Sequence, residues 1–197
     1  MKLPLFPLNA VLFPGCRLDL QIFEARYLDM ISRCMKQGTG FGVVTIGEGR
    51  EVGEAPSRLA MVGCEASVRD WQQRPNGLLG IRVEGGRRFQ VLSVEVQADQ
   101  LSVGEIEWFE DLPEHPLPYE HNALAALLSV LAEHPMVAAL EMGGEPGGQQ
   151  DLANQLAYLL PFDTERKLEL LALPDAQMQL ARIQVLLEHL QGELGID

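Results

Sequence analysis

Residues 3–40 read LPLFPLNAVLFPGCRLDLQIFEARYLDMISRCMKQGTG, and a change of period within them decides the fold class. Residues 3–6 form a short apolar run, and Pro7 removes a ladder donor just after it, so the expected strand stops early or lies at a sheet edge. Phe13-Pro14-Gly15 makes a turn. Over residues 17–23, Leu18, Leu20 and Ile22 alternate with Arg17, Asp19 and Gln21, which is the pattern of a strand with one wet face. Over residues 24–37 the period lengthens. Leu28, Ile31 and Met35 fall at i, i+3 and i+7 on one helical face, and Gly38 and Gly40 end the helix.

Past this helix the strand pattern returns. Residues 41–46, 59–71, 78–83, 88–97 and 101–109 are rich in β-branched and apolar side chains. Gly47-Glu48-Gly49, Pro75-Asn76-Gly77 and Gly85-Gly86 supply turns between them, giving a meander with one early helix. Short strands with one wet face are best stabilised by curling into a small, mostly antiparallel barrel.

After residue 118 the period is helical. Leu124, Leu127, Leu128 and Leu131 repeat at i, i+3, i+4 and i+7, predicting a helix over 119–134 that Pro135 ends, with a short helical turn over 136–142. Asp151 is placed to cap a helix to Leu160, which Pro161 terminates, and Asp163 to cap the next through Leu173. Leu180, Ile183, Leu187, Leu190 and Leu194 form a last seam that needs a partner helix. Short connections favour an intramolecular bundle. The same seam, with short edge strands, also offers a surface on which a homodimer could form. The fold class is therefore α+β, an antiparallel β-barrel with one early helix followed by an α-helical bundle.

Charge divides the chain at the same place. Residues 1–100 hold 12 Lys and Arg against 11 Asp and Glu, whereas residues 101–197 hold 3 against 17, for a net charge of −13. Pro113, Pro116 and Pro118 interrupt regular hydrogen bonding between the halves. The expected organisation is a barrel over 1–112, a Pro-rich linker over 113–118 and a helical subdomain over 119–197. The acidity works against loose binding to nucleic acid or to anionic membranes. No run of 18 apolar residues and no signal-peptide pattern is present, so a cytoplasmic location is expected. Cys16, Cys34 and Cys64 lack the spacing of a zinc knuckle or a redox dithiol and read as reduced, structural thiols. His115, His121, His134 and His189 each follow a Glu, but neighbours on a helix point about 100° apart, so no metal site is expected. The glycine-rich stretch at 143–148 lacks the Lys-Ser/Thr pair of a phosphate loop, and no cofactor is expected.

LPLFPLNAVLFPG at residues 3–15 and LQIFEARYLDMISRC at 20–34 resemble the opening of the N-terminal domain of the Lon protease family. VGCEASV at 62–68 and GIRVEGGRRFQVLSV at 80–94 are similar to that domain's central strands. The resemblance implies a PUA-like barrel followed by a helical subdomain, the two together forming one Lon N-terminal-type domain. A complete Lon protease would add an ATPase module with a G-x-x-x-x-G-K-[ST] loop and a protease domain with a Ser-Lys dyad. Lys2, Lys36 and Lys167 are the only lysines and none sits in either pattern, so the chain resembles stand-alone Lon substrate-binding-domain proteins and is not expected to be an enzyme. The shared motifs read as structural. Glu24 sits at the positive end of the early helix, Arg26 pairs with a carboxylate, and Tyr27 packs its ring under the barrel. Phe89 points into the core and Arg88 outward.

What the resemblance implies is a non-catalytic polypeptide-recognition module. It would bind exposed apolar segments of unfolded or partly folded proteins, or a protein partner, as an adaptor or regulator in protein quality control. An apolar groove at the junction of barrel and bundle would hold the segment, with Trp71, Trp108, Phe109, Met136 and Met142 as its candidate lining. Each of these could instead be core. The acidic second half favours basic clients. The alternative is an RNA-binding protein, since PUA-like barrels can bind RNA. Against it, the basic residues of the first half are balanced by acids, and Arg87-Arg88 is the only adjacent basic pair there. No acid/base pair has a spacing that nominates catalytic residues.

Overall fold

The computed structural model describes residues 1–110, 113–142 and 144–194, with 191, 193 and 194 described by backbone alone. Gly143 of the glycine-rich stretch and the Leu194 side chain of the terminal seam lie outside the described residues. Two compact units are present, Met1–Asp111 and Leu112–Asp197.

The first unit runs β1 (Lys2–Leu8), β2 (Arg17–Ile22), α1 (Ala25–Gln37), β3 (Phe41–Glu48), β4 (Arg58–Gln73), β5 (Leu79–Val96) and β6 (Ser102–Trp108). The strands lie in the order β2-β5-β4-β3-β1-β6, and β6 pairs back onto β5. Strands β1, β3, β4, β5 and β6 thus close a barrel, and β2 adds to the first half of β5. All pairs are antiparallel except β1 with β3. Inward positions on alternate residues bury Leu3, Leu5, Val44, Phe89, Val91 and Ile106 as one cluster. Phe89 is fully buried there, while Arg88 beside it is half-buried.

In the first unit three expectations are corrected. Strand β1 is neither short nor at an edge, because residues 2–4 pair with β6 and residues 5–8 with β3. Each half is engaged on one side only, which leaves an open side for a proline nitrogen that has no hydrogen to donate. Gly85-Gly86 makes no turn, since the runs on either side of it are a single strand of 18 residues. The ladder with β4 shifts register at that point, a bulge. Gly85 lies so close to the Phe13 loop that a Cβ would stand 2.1 Å from the Phe13 carbonyl oxygen. Its N–H donates to the Cys16 carbonyl and its own carbonyl accepts from Gly15 N–H, both at 2.8 Å. Close backbone approach is therefore what excludes a side chain here. Third, α1 buries Tyr27, Met30, Ile31 and Cys34, not the stripe of Leu28, Ile31 and Met35. The i, i+3, i+4, i+7 set led by Tyr27 prevails because the Tyr27 ring packs on Phe6, with centroids 4.2 Å apart.

The second unit has a 3-10 turn (Tyr119–His121), α2 (Asn122–Ala132), α3 (Pro135–Ala139), α4 (Gln149–Leu159), α5 (Thr164–Ala172) and α6 (Ala176–Leu194). Helix α4 is central, touching α2, α5 and α6, and Leu128, Leu152, Leu156, Leu170, Leu180 and Ile183 fill the core. Leu186 joins them, whereas Leu187 and Leu190 of the seam are half-buried. A buried amide network fixes α4 against α6. Gln150 Nε2 donates to Gln179 Oε1 at 2.6 Å, and Gln179 Nε2 donates to the Leu170 carbonyl at 2.8 Å. Asp163 caps α5, accepting from Arg166 N–H at 2.8 Å. Asp151 does not cap α4, whose N-cap is Gly148; its carboxylate turns back to accept from Gly147 N–H at 2.9 Å. The capping acceptor is Glu114, which receives Gln150 N–H at 2.8 Å and Asp151 N–H at 3.1 Å. A carboxylate from a preceding segment satisfies helix donors as well as a local one does.

Candidate functional site

The IFEARY stretch at residues 22–27 places the first candidate groove. Strand alternation sends Ile22 inward, so Phe23, one residue out of phase, is turned outward and stays 51% exposed. Glu24 then begins α1 as its N-cap residue, and Arg26 is buried behind it with one guanidinium nitrogen 2.9 Å from Glu24 Oε2. Another Arg26 nitrogen donates to the Gln100 carbonyl at 2.8 Å, and the guanidinium lies 4.6 Å from the Tyr27 ring centroid. Gln100, held at φ +68°, accepts at its side-chain Oε1 from Ala55 N–H at 3.2 Å. The β3–β4 loop is fastened in the same way, through Gly53 N–H on Glu24 Oε2 and Asn9 N–H on Glu51 Oε1 at 2.6 Å. These bonds hold the loop that carries Val52, 54% exposed, which lines the same cavity as Phe23.

That cavity measures about 180 Å³, room for one large side chain. Leu20, Ile22 and Tyr27 contribute apolar walls, and Asp19, Glu24 and Glu51 are its only charged lining residues. Burial pushes the Tyr27 phenol above its ordinary range, so it is neutral at physiological pH. Asp19 is held below the usual carboxylate range by paired hydrogen bonds from Arg82, at 2.8 and 2.9 Å, and stays ionised. The groove therefore offers an apolar floor beneath three carboxylates, of which Asp19 and Glu24 are already paired with Arg82 and Arg26, and among the described residues no cluster of three or more side chains is placed to hold a metal ion.

A larger cavity, about 320 Å³, lies at the other end of α1 against the starts of β1 and β6. In the second unit a cavity of about 420 Å³ is lined by Glu114, His115, Gln149, Gln150 and Asp175. There the positive helix ends are already met by the chain's own carboxylates, Glu114 on α4 and Asp175 on Met178 N–H at 2.8 Å.

Of the five side chains nominated from sequence, Trp71, Trp108 and Phe109 lie in the first unit and Met136 and Met142 in the second. Trp108 is half-buried, edge-on to Phe89 at 5.9 Å, with the Arg87 guanidinium 4.0 Å over its ring, and Phe109 beside it carries Arg88 at 5.2 Å. Trp71, 58% exposed, stands opposite Ile81 on β5, whereas Trp108 stands opposite Phe89. Eight residues of strand, roughly 25 Å, separate those two positions. Met136, 74% exposed on α3, and half-buried Met142 belong to the second unit. The structure thus brings Trp108 and Phe109 together and keeps Trp71 away from them. Sequence reasoning missed Phe23 and Val52. The signal for Phe23 is present, an aromatic residue breaking the alternation straight after Ile22; Val52 gives none, because its loop is fastened to Asn9, Glu24 and Gln100, which are distant in sequence.

Residues 2–189 match the family described as the ATP-dependent protease La (LON) substrate-binding domain. The crystal structure of a Lon N-terminal domain protein from Xanthomonas campestris is 32% identical, with a TM-score of 0.74, covering 94% of this chain and 98% of that one. The N-terminal domain of Mycobacterium avium complex Lon protease shares the fold at 18% identity and a TM-score of 0.60, covering 95% and 97% of the two chains. Lon protease 2 of Herpetosiphon aurantiacus is 26% identical over 201 residues, 96% of this chain and 24% of that protein. The chain therefore spans about a quarter of the length of that curated relative.

Proposed function

Because the chain belongs to the Lon substrate-binding domain family, we propose that it is a non-catalytic polypeptide-recognition module that captures exposed apolar segments of unfolded or partly folded proteins. The observation that carries the site is the pair of exposed apolar side chains, Phe23 and Val52, lining one groove whose charged lining residues are all acidic. An apolar side chain of the client enters the groove, and basic residues beside it meet Asp19, Glu24 and Glu51. Burying one such side chain contributes about 1.5–3 kcal/mol, so capture at this groove alone is weak and reversible, which suits an adaptor or regulator in protein quality control. The second unit, with 13 acids against 3 basic residues, strengthens the preference for cationic segments. The reducing cytosol is the proposed place of action, in keeping with three buried cysteines that form no disulfide.

The test is fluorescence anisotropy with a dye-labelled, casein-like unfolded polypeptide and no nucleotide. Saturable binding without turnover is expected, and Phe23→Ser combined with Val52→Ser should weaken it about fivefold or more while circular dichroism stays unchanged. Equal affinity in the double variant would move the site elsewhere, and no binding at high micromolar concentration would overturn the function.

A further inference from the structure

We propose that the 320 Å³ cavity at the C-terminal end of α1 is a second docking site, whose occupant is an apolar polypeptide segment bearing a carboxylate side chain. The inference rests on the reading of this chain as a polypeptide-recognition module. Its floor is apolar and formed in advance: Leu3, Met30, Cys34 and Leu101 are each at most 5% exposed. Met1, 66% exposed, and half-buried Val103 stand at its side, the former a flexible side chain that adapts to different occupants.

The polarity of its rim identifies the occupant. In a chain with 28 acids and a net charge of −13, no carboxylate lines this cavity. Its charged side chains are Lys2 and Arg33, and Gln37, Thr39 and Gln97 add neutral hydrogen-bonding groups. Arg33 is exposed and makes no ion pair among the described residues, while Lys2 is held only by Glu95 at 3.1 Å, with both side chains about 70% exposed. A surface pair of this kind is weak and readily exchanged for an incoming carboxylate. The volume also lies within the range of ligand pockets, larger than the acid-rimmed groove at the other end of the helix. A second copy of this chain, strongly anionic as a whole, fits less well than a local apolar-acidic segment, because long-range repulsion opposes its approach.

The experiment uses the full chain and two short labelled peptides that differ only in carrying glutamate or lysine between leucines. The glutamate peptide should bind, and Lys2→Glu with Arg33→Glu should weaken it about tenfold while leaving the lysine peptide within about twofold. Phe23→Ser with Val52→Ser should show the reverse pattern. Gln97→Glu, which adds a carboxylate to the same rim and removes neither cation, should weaken the glutamate peptide as well. Unchanged affinity of the glutamate peptide in the charge-reversed variant, or binding of the lysine peptide alone, overturns this site and leaves the polypeptide-recognition reading standing. Failure of both peptides to bind the parent chain overturns both.

Discussion

Gly85 and Gly86 are neighbours whose surroundings differ. A Cβ on Gly85 would meet backbone, the Phe13 carbonyl, at 2.1 Å, whereas on Gly86 its nearest contact would be the Glu65 side chain at 3.3 Å. Backbone cannot yield as a flexible carboxylate can. Gly85→Ala is expected to lower stability by about 2–4 kcal/mol and Gly86→Ala by less than about 1, measured by urea denaturation. Equal effects would show that the bulge, rather than the Phe13 contact, sets the requirement. The sequence displays two glycines and invites a turn; nothing local reveals that one of them faces a loop some 70 residues away in the chain. The same limit applies to Arg26. Its pairing with a carboxylate was legible, but its bond to the Gln100 carbonyl was not, since that partner is brought in by the β5–β6 connection.

At the level of elements, periodicity located β2, α1 and the later helices, and Asp163 was recognisable as a cap because N-capping is a contact between residues three apart. The apolar pattern of α1 fits two faces one residue apart, as Leu28 and Met35 match the helical period as well as Tyr27 and Cys34 do. Only the Phe6 ring opposite decides between the two stripes. For α4 the local candidate Asp151 lost to Glu114, whose two carboxylate oxygens cover the Gln150 and Asp151 N–H groups. Glu114→Ala should therefore destabilise the chain by about 1–2 kcal/mol, read as a lower thermal midpoint with loss of helical signal first. A change within measurement error would mean that solvent caps the helix equally well.

At the level of the whole molecule, every strand pairing of the barrel lies between Lys2 and Trp108, and the ring closes on itself without a residue from the second unit. A fragment of residues 1–110 is expected to fold alone, with a β-type circular dichroism spectrum and a cooperative thermal transition. A spectrum of disordered chain would show that the barrel depends on the helical unit. The charge asymmetry between the halves was countable from the sequence. Its local expression was not, because the acid-rimmed groove and the cation-rimmed cavity draw their charges from residues scattered between positions 2 and 51.

The sequence by itself determined the α+β class, the barrel-then-bundle order and the family, because period, turn chemistry and motif spacing are properties of residues near one another in the chain. Tertiary structure alone decided that β1 lies inside the barrel, that Gly85 sits against Phe13 and that α1 has a cavity lined by carboxylates at one end and a cavity lined by Lys2 and Arg33 at the other. Each depends on which distant segments meet, and chain closure with side-chain packing fixes those meetings only once the whole fold has formed.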